Sequence, residues 1–131
     1  MRKAIALKIR QLVAQRANSF CEYCHFHESD RFLAFEIDHI FNVKHGGGNE
    51  VENLAYACAH CNQNKGSDLV TFIDDYENIV PLFNPRKQQW DEHFFFEEGL
   101  VCYKTLTGKA TIKLLKMNDV DLIILRKLLY Q

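Results

Sequence analysis

Two Cys-x-x-Cys pairs constrain this chain more than any other feature. They read Cys21-Glu-Tyr-Cys24 and Cys58-Ala-His-Cys61, with 33 residues between Cys24 and Cys58. Four thiolates from two such knuckles match the closed tetrahedral geometry of structural Zn²⁺. A shared ion forces the two ends of the intervening segment to meet, so that segment must fold back on itself. Four buried free cysteines would explain neither spacing. The fifth cysteine, Cys102, reads as a small core residue. Five cysteines in all suit metal ligands plus one spare in a reducing compartment better than disulfides. CEYCH at 21–25 also fits the CxxCH pattern of haem attachment, but that reading needs export and leaves Cys58 and Cys61 unexplained.

The chain has 131 residues, which suits one domain over 1–131 with a modest core. A hydrophobic fraction of 47% against 25% charged excludes disorder. No stretch is apolar enough to span a bilayer. The basic start MRKAIALKIRQLVAQRA is interrupted by Lys8, Arg10 and Gln11, so it lacks the apolar run of a secretory signal and a cytoplasmic location is expected. A net charge of −1 gives no global pull on a polyanion, so any such contact must use patches. One candidate is the acid-free first 20 residues, with Arg2, Lys3, Lys8, Arg10 and Arg16; the middle is acidic at Asp68, Asp74, Asp75 and Glu77.

From about Arg2 to Arg16, Ile5, Ile9, Leu12 and Val13 fall at helical spacing, leaving Lys3, Lys8 and Arg10 toward solvent. FLAFEIDHI suits a strand running into Asp38 and His39, and GGGN at 46–49 marks a turn. VENLAYAC is expected to be a short second strand or extended loop that delivers Cys58. NQNKGSDLVTFIDDY reads as a helix beginning near Cys61, ended by Pro81 and Pro85. FFF and LVCY around EEG predict a β-hairpin, Thr107 is expected to cap a helix over roughly 108–116, and a last helix should start at Asn118 or Asp119.

Residues 35–66 hold a density of polar groups that no packing need explains. They include Asp38, His39, the glycine turn, Asn53, Asn62 and Lys65. Asn53 lies 14 residues after His39, and Asn62 lies 9 after Asn53. With Glu36-Ile-Asp-His-Ile, Asn53-Leu54 and Cys61-Asn-x-x-Lys65, this resembles the HNH endonuclease family. LFNPR, Trp90, Glu92-His93-Phe94, Thr107-Gly108 and Leu115-x-Met-Asn118 are similar to the tail of its small stand-alone bacterial members. The resemblance implies an α+β fold: a ββα-metal core at about 20–70 with a four-cysteine zinc site, an N-terminal helix, and a C-terminal cap of hairpin plus helices at about 81–131.

It also implies metal-dependent hydrolysis of DNA phosphodiester bonds. His39 would be the general base, since an ordinary histidine is mostly neutral near pH 7. Asp38 and Asn62 would hold one divalent ion, Mg²⁺ or Mn²⁺, as Lewis acid and template. Asn62 stands where the family name has its second histidine, and its oxygen suits a hard cation. Asn53 would tie the loop together and orient the histidine. Lys65, one helical turn past Asn62, would face the phosphate. The remaining histidines, His25, His27, His45, His60 and His93, are given no chemical role. Trp90 and Phe94–Phe96 are expected to build the core under the zinc module. The rival readings are a zinc-stabilised DNA-binding module without catalysis and a zinc scaffold for a partner.

Overall fold

The structure, a computed structural model, describes residues 4–130. It is an α+β fold of four helices and three separate two-stranded antiparallel sheets. The central unit is a hairpin followed by a helix: β1 (Glu36–His39), β2 (Leu54–Ala57) and α2 (Ala59–Lys65). β1 and β2 pair in the register Glu36↔Ala57, Asp38↔Ala55 and His39↔Leu54. Every residue of β2 is buried. Leu54, Ala55 and Ala57 are covered because α1 (Leu7–Arg16) packs on β2 while the cysteine knuckles close the end that leads to Cys58. Val13 is the buried residue of α1, with Ile5 and Ile9 packed beside it, and Leu12 turns to solvent. Arg16 does not present its charge freely: its guanidinium donates to the carbonyls of Val51 and Leu54 and staples α1 to the hairpin. The expected helix start at Arg2, with Lys3, lies outside the described residues.

The loop between β1 and β2 is held tightly. Gly46 closes a short 3-10 turn at φ 91°, a conformation that glycine adopts without steric cost. A Cβ on Gly47 would lie 1.6 Å from the Phe41 carbonyl oxygen, so only glycine lets the two backbones approach this closely.

Two sequence expectations are corrected after Cys61. The helix ends at Lys65, where Gly66 turns away at φ 53°, and the run beyond it is a hairpin of β3 (Val70–Ile73) and β4 (Asp75–Pro81). The β-branched Val70, Thr71 and Ile73 favour a pleated strand, and Asp74 at φ 66° makes the reversal. Pro81 therefore ends a strand rather than a helix. Further on, Thr105 rather than Thr107 caps α3 (Leu106–Leu114), its hydroxyl oxygen accepting the Gly108 N–H at 3.1 Å. The hairpin of β5 (Phe94–Glu97) and β6 (Leu100–Tyr103) forms where the sequence places it, and α4 (Val120–Leu129) follows Asp119.

These C-terminal elements are locked onto the knuckles. Trp90 donates its indole N–H to the Tyr23 carbonyl at 2.8 Å and stacks on His25 with ring centroids 3.9 Å apart. Asn118 exchanges two hydrogen bonds with the Val101 backbone. The buried Arg126 guanidinium lies 4.9 Å from the centroid of the Phe26 ring while donating to the carbonyls of Met117 and Gly99. One core cluster consequently runs from Val13 through the knuckles and β1–β2 to Leu122. A smaller one, Ile73, Val80, Leu82 and Ala110, sits under β3–β4.

Candidate active site and metal centre

The cysteines come together as their spacing requires. The Sγ atoms of Cys21, Cys24, Cys58 and Cys61 all lie within 4.8 Å of one another and are buried. A tetrahedral ion with Zn–S bonds of about 2.3 Å would set its sulfurs roughly 3.8 Å apart, and Cys24 and Cys58 are separated by 3.7 Å. Within each knuckle the backbone N–H of the second cysteine points at the first sulfur, at 3.4 Å for Cys24 and 3.3 Å for Cys61. The neighbouring sulfurs, Cys21 first and then Cys24 and Cys61, pull the Cys58 thiol far below its ordinary range. The same neighbours, Cys21 foremost, push Cys24 and Cys61 well up. The first thiolate thus forms easily and the last ones resist, so holding all four as thiolates requires a cation among them. The four sulfurs can hold a structural metal ion such as zinc. The haem reading is set aside, because it separates two pairs that the fold unites.

Strand periodicity divides the adjacent Asp38 and His39 between two sides of β1. Asp38 turns toward α2 and the first knuckle. It is 3% exposed; its Oδ2 accepts the Tyr23 hydroxyl at 2.6 Å, and both oxygens lie 3.2 Å from the Lys65 ammonium. Burial raises the Asp38 carboxyl above the usual carboxylate range, with Lys65 and Tyr23 pulling the other way. Burial likewise lifts the Tyr23 phenol far up, reinforced by the Asp38 charge.

Lys65, expected to face a phosphate, points inward instead. It is 2% exposed, and its ammonium is shared among Asp38 and the carbonyls of His39 and Ile40 at 3.2 and 3.3 Å. Asn62 donates its amide N–H to Glu36 Oε1 at 2.9 Å. Glu36 lies two residues before Asp38 and so on the same face of β1, a carboxylate that the sequence motif does not single out.

His39 is 1% exposed and turns toward the β1–β2 loop, where Nε2 lies 2.7 Å from Asn49 Oδ1. An amide oxygen only accepts, so Nε2 carries the ring proton and Nδ1 is the nitrogen able to take one. Asn53 spans the base of that loop: its amide donates to the carbonyls of Phe41 and Gly48 at 2.9 Å and its oxygen accepts the Phe41 N–H at 2.8 Å. The side chain bonded to the His39 ring is Asn49, which in the sequence is merely the last residue of a glycine turn. The other histidines have structural partners: His45 bonds the Ser67 carbonyl, His60 the Lys116 carbonyl and His93 the Thr105 hydroxyl.

A catalytic divalent ion is implied by the resemblance, and the donor set fits a hard cation in kind. Asp38, Glu36 and Asn62 offer only oxygen ligands at the β1–α2 junction. A carboxylate has about four lone-pair positions, and the Tyr23 and Lys65 contacts do not exhaust those of Asp38.

Among the described residues no helix is long and apolar enough to cross a membrane. Residues 21–68 match the family model described as HNH endonuclease, which spans both knuckles, β1, the loop, β2 and α2. Neither a curated protein nor a solved structure gives a significant match.

Proposed function

Because the chain belongs to the HNH endonuclease family through residues 21–68, we propose that it is an endonuclease that hydrolyses DNA phosphodiester bonds with a divalent metal ion. The observation that carries this reading is the His39–Asn49 bond, since it fixes a ring whose other nitrogen can accept a proton. His39 is the general base: Nδ1 takes the proton of the attacking water, and Asn49 holds the tautomer. Asp38 and Asn62 would hold the ion, Mg²⁺ or Mn²⁺, with Glu36 beside them. When bound, that ion supplies Lewis-acid stabilisation of the phosphate and the leaving oxygen. Lys65 acts from below, neutralising and fixing Asp38 rather than touching substrate. Asn53 keeps the loop that carries Asn49 in shape. Zn²⁺ at Cys21, Cys24, Cys58 and Cys61 is structural.

Residues 1–131 act as one nuclease domain, a reading supported by the core that links α1, the knuckles and α4. Lys8 and Arg10, exposed on α1, are the phosphate contacts available near the N-terminus. One observation favours a second reading, a zinc-stabilised DNA-binding or scaffolding module without catalysis: both His39 and Asp38 are nearly closed to solvent. Under the nuclease reading the loop at 42–50 gives way when substrate binds. A plasmid-nicking assay with and without Mn²⁺ separates the two. The nuclease nicks only with metal, and the module never does.

A further inference from the structure

We propose that Tyr23 is a positioning residue for Asp38, so that the cysteine knuckle sets the affinity for the catalytic divalent ion. This rests on the reading of Asp38 as a ligand of that ion. Tyr23 lies between Cys21 and Cys24 and is 0% exposed. Its hydroxyl donates to Asp38 Oδ2 at 2.6 Å, the length of a charge-assisted O–H···O⁻ bond.

A phenylalanine would fill the same volume. A hydroxyl at a fully buried position is stabilised only by an acceptor, and here the acceptor is the carboxylate assigned to the ion. Nor is the ring free to shift. Its residue is bracketed by two sulfurs of the cluster, and its carbonyl accepts the Trp90 indole N–H.

Lys65 holds Asp38 through both oxygens. The carboxylate is therefore clamped between a phenol from the knuckle and an ammonium from α2, with its remaining lone pairs directed by both. Loss of the phenol leaves the lysine in place but frees the carboxylate to rotate about its bond to Cβ. Partners of this kind, which orient a ligand without touching the ion, typically change metal affinity about 10- to 100-fold.

The test is full-length Tyr23→Phe beside wild type and Asp38→Ala, with zinc content, thermal melting, Mn²⁺ binding by the electron-spin resonance signal of free Mn²⁺, and nicking against Mn²⁺ concentration. Tyr23→Phe should keep its zinc and a cooperative melt, bind Mn²⁺ about 10- to 100-fold more weakly, and regain most of its rate at saturating Mn²⁺. Wild-type Mn²⁺ affinity in folded Tyr23→Phe, with weakened affinity in Asp38→Ala, overturns the role of Tyr23 alone. Unchanged affinity in Asp38→Ala overturns the ligand reading and the inference with it. Should Tyr23→Phe not fold, wild type carries the test: the ¹³Cζ resonance of Tyr23 should move as Mg²⁺ fills the site. A resonance unmoved at saturating Mg²⁺ contradicts the proposal.

Discussion

The imidazole of His39 and the amide of Asn49 are joined by a 2.7 Å hydrogen bond between Nε2 and Oδ1, ten residues apart across the glycine loop. The bond gives the loop a chemical purpose, since a loop built around Gly46 and Gly47 brings an acceptor back onto the ring. Asn49→Ala should retain fold and zinc but lose at least about ten-fold in cleavage rate, within the roughly 10²- to 10⁴-fold that a positioned base contributes. Asn49→Asp keeps an acceptor and should lose less. Single-turnover nicking of the two variants checks the order, and equal losses would remove Asn49 from the mechanism.

Lys65 offers a contrast between two kinds of lysine. An exposed phosphate contact could be deleted with little effect on folding, usually within about 0.5 kcal/mol. The buried ammonium that answers Asp38 and two carbonyls cannot. Lys65→Met strands the Asp38 carboxylate, and breaking a buried pair from one side typically costs about 3–5 kcal/mol. Urea unfolding at neutral pH should show a loss of that order. A melt within error of wild type would mean that the ammonium lies elsewhere in solution.

The knuckles should make the fold depend on metal. Binding free energy at such a site is folding free energy, on the order of 10 kcal/mol. Purified protein should carry about one zinc per chain by elemental analysis, and Cys58→Ser should be insoluble or loosely folded. The pH dependence has a fixed sign. Thiols must lose their protons to bind the ion, so affinity falls as the solution is acidified, and zinc release should accompany proton uptake and loss of the cooperative melt. A zinc-free preparation with an intact melt contradicts this.

The β1–loop–β2–α2 unit was legible because cysteine spacing and the Asp-His, Asn and Asn-x-x-Lys pattern each restrict geometry independently. The segment after Lys65 was not. Leu69, Val70, Phe72 and Ile73 suit a helix or a strand equally by hydrophobicity, and the decision fell to Gly66 and Asp74, whose positive φ values end one element and reverse the next. Within the site, the residue types were readable but their directions were not. Lys65 looks exposed when α2 is considered alone, and only the packing of α2 on β1 turns it inward. Glu36, Tyr23 and Asn49 were hidden for a related reason: each lies inside a motif already explained, as strand, knuckle spacer and turn.

The exposed basic face of α1 divides into two tasks. Arg16 is committed to the carbonyls of Val51 and Leu54, so Arg16→Ala should lower stability. Lys8 and Arg10 are left for phosphate. Lys8→Ala with Arg10→Ala should weaken DNA binding across sequences alike and reduce the salt slope by up to about 0.9 for each phosphate no longer neutralised. Titrations at several salt concentrations measure it. An unchanged slope assigns both side chains to a solvated surface.

The most direct measurement is the metal-dependent nicking rate of His39→Ala against wild type, at matched Mn²⁺, pH and zinc content. The variant should fold, keep its zinc and bind DNA and Mn²⁺ as wild type does, yet cleave about 10²- to 10⁴-fold more slowly. Cleavage by His39→Ala at the wild-type rate would contradict the assignment of His39 as the base.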